Sequence, residues 1–177
     1  MRPHVKRHAY VSVADKYNGR AGAELVGGTI AGLSPRPRRQ VVERLARNSR
    51  QPQPILNIAL SAPEGVHLSD EAWRDVIRAV FRTFGIPAVT VPWVAWRHCD
   101  TTCDHIHVYV LPVTFAGRAL DVDPTKADCT AAHRAACHAA HLPQPDYEEP
   151  GDPIRAVPLI PLRRRTGFKA KAAAALE

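Results

Sequence analysis

The sequence predicts an α+β fold in which helices flank a mainly antiparallel central β-sheet of about five strands. β-prone and helical segments alternate along the chain, without the regular strand–helix–strand repeat of parallel sheets. Near the centre, two β-rich runs are separated by only six mostly polar residues, which predicts a hairpin. The 177 residues, 45% of them hydrophobic, suffice for one domain with a buried core.

The first half of the chain is expected to contribute two strands and two helices. A β-prone pattern covers residues 10–13 and an apolar run covers residues 55–61, so both are predicted strands. Residues 37–48 carry one apolar stripe among basic residues, which predicts a short helix. Residues 69–84 show the clearest helical pattern, because Ser69 suits the N-cap and apolar side chains recur at helical spacing.

The second half supplies the predicted hairpin and a last helix. The β-rich runs at 88–98 and 105–113 are the two hairpin strands, and the Ala-rich segment 126–141 is a predicted helix. A Pro-rich and acidic segment at 143–153 favours the end of the compact domain there.

These boundaries divide the chain into three parts. We expect a folded domain over residues 1–145, followed by a basic extension over residues 146–171 that begins a longer native chain. The last six residues, 172–177, resemble a vector-derived tail.

The charge distribution favours a polyanionic partner. Residues 1–60 hold eleven basic and three acidic residues, a balance of +8, and residues 155–177 have a balance of +5. The middle of the chain is neutral to acidic. Basic ends of this kind suit phosphate binding, although solvated basic tails are an equal alternative. No apolar run is long enough for a membrane helix, and the first residues do not resemble a signal peptide.

The segment from His98 to His107 predicts a metal site. His105 and His107 are two residues apart, so they point to the same side of a strand. In a hairpin centred near residue 102, His98 lies across from them on the partner strand. Three imidazoles with open coordination positions are typical of a catalytic metal site. A zinc finger that also uses Cys99 and Cys103 is the less favoured alternative, because four ligands would crowd into nine residues.

The same segment resembles a known family. Its pattern H-x-D-x-x-x-x-H-x-H, from His98 to His107, is similar to the metal-binding motif of the relaxase/mobilization nucleases, which are HUH endonucleases. Residues 24–32 resemble the Gly-Gly turn of this family, and residues 55–73 resemble the strand, loop and helix that precede its motif. The resemblance extends over about residues 5–145.

The resemblance implies an HUH, palm-like relaxase fold and a DNA relaxase. Such an enzyme nicks and rejoins single-stranded DNA at the transfer origin of a plasmid or conjugative element, through tyrosine transesterification that gives a 5′-phosphotyrosine. Carried over to this chain, the three histidines are metal ligands and Tyr10 is the nucleophile, with Tyr17 as the alternative. Asp100 would orient a ligand imidazole or help to take the proton of the nucleophile.

Four positions depart from the family pattern. Thr29 stands in place of Asn in the Gly-Gly turn, and Asn57 stands where the family strand often carries His. Asp104 replaces a Pro or His before the second histidine of the motif, and Leu111 replaces an Asn beyond it. None of these changes removes a metal ligand. Their expected effects are on the contacts with substrate, on the subfamily to which the chain belongs and on the level of activity.

Cofactor and partners follow from the resemblance and the charge. The metal is expected to be Mg²⁺ or Mn²⁺, with Zn²⁺, Ni²⁺ and Co²⁺ also suited to imidazole ligands. The partner would be single-stranded or hairpin DNA of a transfer origin, with accessory relaxosome proteins and a coupling protein of a type IV secretion system. Candidate phosphate contacts are arginines of the basic N-terminal region: Arg36, Arg38, Arg39, Arg44, Arg47 and Arg50.

Two alternative functions stay open at this point. One is a replication-initiator or transposase nuclease of the same HUH chemistry, and the other is a DNA-binding module that no longer cleaves. A bacterial cytoplasmic location is expected for either a relaxase or these alternatives, with the four cysteines reduced.

Overall fold

The fold is built on a β-sheet in which all neighbouring strands are antiparallel. The computed structural model describes residues 1–9, 22–98 and 102–145, and Met1–Pro145 form one compact unit. The described residues form five strands: β1 (His4–His8), β2 (Glu24–Gly27), β3 (Ile55–Ser61), β4 (Trp93–His98) and β5 (His105–Val110). Their order in the sheet is β1-β3-β5-β4-β2, and every pair is antiparallel. This architecture confirms the predicted α+β fold.

The central strands confirm their predictions, and the two edge strands were not predicted. β3 has the expected bounds, and β4 and β5 form the expected hairpin. β1 was missed because its five residues, HVKRH, include only one apolar side chain, Val5. β2 was missed because its four residues run into the Gly-Gly turn. The strand predicted at residues 10–13 lies outside the described residues.

Three helices accompany the sheet among the described residues. They are α1 (Pro35–Ala46), α2 (Asp70–Thr83) and α3 (Lys126–Ala139), each within two residues of the predicted bounds. The hydroxyl of Ser69 accepts a hydrogen bond from the Ala72 amide, so the predicted N-cap of α2 is present. At the start of α3, Thr125 and Asp128 form a capping box.

The two faces of the sheet are buried under different helices. Along β5, Ile106, Val108 and Val110 point to the side covered by α2 and α3, which holds the larger core. On the other side, Tyr109 packs with apolar side chains of α1 and of β4 in a smaller core. His105 and His107 alternate with the first set, so they lie on the α1 side of the sheet. The fold therefore places the motif on the less covered face.

The helices of the described residues show no candidate for a transmembrane segment, since none combines sufficient length with sufficient apolarity. The described cysteines, Cys103, Cys129 and Cys137, form no disulfide.

Candidate active site

The register of the β4–β5 hairpin brings the three histidines together. His98, the last residue of β4, pairs directly with His105, the first residue of β5. His107 lies two positions further along β5, opposite Trp96. The ring centroids are 5.5 Å apart for His98 and His105, 4.9 Å for His98 and His107, and 5.7 Å for His105 and His107. The sequence prediction that these imidazoles share one patch is thus confirmed by the strand pairing.

The donor set suits a divalent transition metal in its chemistry and in its spacing. Metal–nitrogen bonds of about 2.0–2.1 Å in a tetrahedral arrangement place imidazole centroids roughly 5 Å apart, close to the three separations seen here. The ring planes differ from that arrangement, because His98 and His105 are stacked with an interplanar angle of 24°. As the side chains stand, no group of three or more His, Cys, Asp or Glu within the described residues is set to hold a metal ion. Rotation of the rings about χ2, a soft torsion, is what metal binding would require.

Burial and one hydrogen bond constrain the imidazoles. His98 is 2% exposed, whereas His105 and His107 are half-buried. The Nδ1 atom of His105 is 3.1 Å from the carbonyl oxygen of Cys103. A carbonyl oxygen only accepts, so Nδ1 carries the proton and donates. This contact leaves Nε2 of His105 as the nitrogen with a lone pair for a metal.

Trp96 forms part of the sheet surface next to the histidines. It is 5% exposed and lies on the same face as His98, two residues away, and opposite His107. The guanidinium of Arg38, from α1, lies 5.1 Å from the centre of its ring, which is cation–π geometry. Helix α1 therefore borders the histidine cluster through this pair of side chains.

Arg38 differs from the other arginines proposed as phosphate contacts. It is 8% exposed, and its guanidinium donates hydrogen bonds to the carbonyl oxygens of Ile30, Ala31 and Leu33. These contacts fasten α1 to the turn that precedes it. The remaining candidates are exposed: Arg36, Arg39, Arg44, Arg47 and Arg50. Sequence reasoning missed the internal role of Arg38 because its neighbours in the chain are also basic.

The Gly-Gly turn holds the start of β4, and Thr29 contributes to that contact. A side chain on Gly28 would meet the carbonyl oxygen of Trp93 at 2.3 Å, so only glycine allows the approach. The hydroxyl of Thr29 donates to the Val91 carbonyl oxygen at 2.6 Å and accepts from the Trp93 amide at 3.0 Å. Thr29, which departs from the family pattern, therefore has a structural role in this chain.

The other departures also have defined surroundings. Leu111 is 1% exposed and belongs to the smaller core under α1. Asn57 is half-buried on β3, paired with Lys6 of β1 and Tyr109 of β5. Asp104 is 7% exposed and contacts residues on the opposite side of the sheet from the histidines. Asn57 lies on the same face of the sheet as the histidines, because it is two residues from Ile55 of the smaller core, whereas Asp104 points to the other face.

The predicted nucleophiles and the predicted acid lie outside the described residues. Tyr10 and Tyr17 fall within residues 10–21, and Asp100 falls within residues 99–101. Their roles therefore stay predictions. The described part of the site consists of the histidine cluster, Trp96 and the neighbouring surface of α1.

A comparison with protein families identifies the chain independently of this geometry. The model of the relaxase family described as the MobA/VirD2-like nuclease domain matches residues 15–142. Neither the curated proteins nor the solved structures yield a match. The matched segment spans most of the chain and includes α1, the Gly-Gly turn and the whole β4–β5 hairpin. The chain therefore belongs to the relaxases, as a MobA/VirD2-like nuclease domain.

Proposed function

We propose that this relaxase nicks and rejoins one strand of DNA at the transfer origin of a plasmid or conjugative element, and that His98, His105 and His107 hold the divalent metal for the reaction. The observation that carries the proposal is the meeting of three imidazoles at one end of the β4–β5 hairpin. Family membership supports the nicking activity. The donor set, the substrate and the nucleophile are the proposed additions.

The reaction requires an activated tyrosine. A phenol has a pKa of about 10, so only about one in a thousand is ionised at pH 7. In the proposed step, the oxygen of Tyr10 forms a bond to the phosphorus and the bond from phosphorus to the 3′ oxygen breaks. The phenolic proton passes to a base, for which Asp100 is the candidate, and the departing 3′ oxygen takes up a proton. The products are a 5′-phosphotyrosine and a 3′-hydroxyl.

The linkage conserves the energy of the phosphodiester, so the reverse attack rejoins the strand without ATP. A divalent metal, when bound, neutralises phosphate charge and orients the scissile bond. Imidazole ligands bind Mn²⁺, Co²⁺, Ni²⁺ and Zn²⁺ more strongly than Mg²⁺, so Mg²⁺ would serve through its abundance. The Nδ1 contact of His105 with the Cys103 carbonyl fixes which nitrogen of this ring is available.

The described surface near the cluster suits a nucleic-acid backbone. Exposed arginines project from α1 and the segment that follows it, and α1 borders the cluster through Arg38 and Trp96. Arginine forms bidentate hydrogen bonds to phosphate, and its charge gives salt-dependent binding. We infer that the DNA strand passes from this helix towards the histidines.

The test is a search for a covalent adduct that survives SDS. The protein is incubated with supercoiled and single-stranded DNA carrying candidate origins of the same replicon, in Mg²⁺ or Mn²⁺. We expect an adduct that is lost in Tyr10→Phe and retained in Tyr17→Phe. The reverse pattern would move the nucleophile to Tyr17 and keep the enzyme. Specific DNA binding without an adduct in any metal would contradict the proposal and indicate a non-cleaving module.

A further inference from the structure

Asp104 is a nearly buried carboxylate directly before His105. Its side chain is 4% exposed and lies on the α2 side of the sheet. The Oδ2 atom accepts hydrogen bonds from the Leu68 amide at 2.9 Å and from Nε1 of Trp73 at 3.1 Å. The Oδ1 atom lies 3.2 Å from Nε of Arg97. These partners are Leu68, just before α2, Trp73 in α2 and Arg97 in β4.

Arg97 occupies the equivalent position on the partner strand, directly before His98. Its side chain is 17% exposed, and its guanidinium donates to the Leu68 carbonyl oxygen. It also lies 3.4 Å from the carboxylate of Asp70, in the first turn of α2. Each strand of the hairpin thus has a charged residue next to its cluster histidine, and both charged residues contact Leu68, just before α2.

The backbone of Asp104 is fixed as well as its side chain. Its carbonyl oxygen accepts from the Ala62 amide at 2.8 Å, which extends the β3–β5 pairing past Ser61 and His105. Asp104 is the buried member of this ion pair, so loss of Arg97 would leave its carboxylate without a counter-charge away from water, whereas Arg97 also lies next to Asp70. Hydrogen bonds from the Leu68 amide and from Nε1 of Trp73 satisfy the Oδ2 atom of Asp104, and they fix the position of the chain that carries it.

We propose that Asp104 and Arg97 are positioning residues for the metal site. Their contacts hold the ends of β4 and β5 against the start of α2. These contacts, on the face opposite the histidines, fix the separation and register of His98 and His105. The assignment of these histidines as ligands rests on the proposed function, whereas the tie itself is a property of the described fold. Asp104, which departs from the family pattern, would then stabilise the strands that carry the metal ligands in this chain and would not contact the DNA.

The test compares two acid-to-amide variants on the same arginine. Asp104→Asn removes the buried partner of Arg97, and Asp70→Asn removes an exposed one whose side chain is 50% exposed. Mn²⁺ affinity is measured by calorimetry on folded protein. We expect about tenfold weaker Mn²⁺ binding in Asp104→Asn, the size typical of residues that support metal ligands, and less than twofold change in Asp70→Asn. Equal affinity in wild type and Asp104→Asn would overturn the proposal.

Amide hydrogen exchange supplies a readout that needs no metal. In Asp104→Asn the amides at the His98–His105 end of the hairpin should exchange faster, while those at the Trp93–Val110 end keep their wild-type rates. A purely structural role would speed exchange along the whole hairpin, and that result would overturn the proposal. If wild type binds no Mn²⁺, the metal assignment under the proposed function fails, and the exchange pattern still decides the positioning role.

A second variant covers the case in which Asp104→Asn does not fold. Arg97→Lys keeps the charge but lacks the planar fork that reaches Asp104, Asp70 and the Leu68 carbonyl together. We expect it to show the same local exchange pattern and weakened Mn²⁺ binding. Wild-type behaviour of Arg97→Lys in both measurements would overturn the proposal.

Discussion

At the scale of single residues, the environment of a side chain separates residues that look alike in the sequence. The spacing of His105 and His107, with His98 across a short hairpin, was enough to predict the cluster, because strand geometry is regular. The internal role of Arg38 could not be predicted, since its partners are three carbonyl oxygens of a turn whose path depends on the whole fold. The same holds for Asp104, whose partners come from α2.

Gly28 allows a single-residue prediction. Its φ of +144° disfavours other residues, and an added Cβ would lie 2.3 Å from the Trp93 carbonyl oxygen. Gly28→Ala should therefore lower the free energy of unfolding by at least about 2 kcal/mol. Gly32→Ala, in the same turn with open space around the added methyl, should change it by less than about 1 kcal/mol. Denaturant unfolding of both variants measures the difference, and equal effects would contradict the close approach of the turn to β4.

At the scale of elements, strands and helices with regular apolar patterns could be predicted, whereas short polar edge strands could not. β3 and α2 were predicted because their apolar side chains recur with periods of two and 3.6 residues. β1 carries mostly charged and histidine side chains, and its strand conformation comes from pairing with β3 along five residues. Tertiary pairing of this kind is not encoded in a five-residue pattern.

Helix α1 allows a prediction on DNA binding. Arg44 is exposed in its last turn, so Arg44→Ala should weaken binding to single-stranded DNA and reduce the salt slope by about 1, because one phosphate contact is lost. The free energy of unfolding should change by less than about 1 kcal/mol. Arg38→Met is the matched variant with a buried side chain, and it should instead lower stability by about 2 kcal/mol, since buried carbonyl oxygens lose their donors. A salt slope unchanged in Arg44→Ala would contradict the assigned DNA path.

At the scale of the whole molecule, the amino group of Met1 is bound to α3. The amino group of Met1 donates to Nε2 of His133 in α3 at 2.8 Å, and the Met1 side chain is buried in the larger core. Burial lowers the pKa of His133 to about 4, with the positive charges of the amino terminus and of Arg2 acting in the same direction. The folded protein therefore keeps this imidazole neutral as an acceptor.

The lowered pKa of His133 predicts a pH dependence of stability. In the unfolded chain a histidine takes up its proton near pH 6.5, whereas the folded chain does so near pH 4. Between these values the unfolded state binds more protons, so the contribution to stability is complete above pH 6.5 and is lost as pH falls towards 4. His133→Gln should show a shallower loss of unfolding free energy between pH 6.5 and 4. Parallel curves for wild type and variant would contradict the neutral, half-buried state of His133.

The most direct test of the nuclease site is the metal dependence of the covalent adduct on single-stranded origin DNA. Wild-type protein with Mn²⁺ should give an SDS-resistant adduct that disappears with a chelator, and His107→Ala, which removes one of the three imidazoles of the cluster, should give none under the same conditions. An adduct that forms equally well in the chelator or in folded His107→Ala would show that the histidine cluster is not the metal centre of this relaxase.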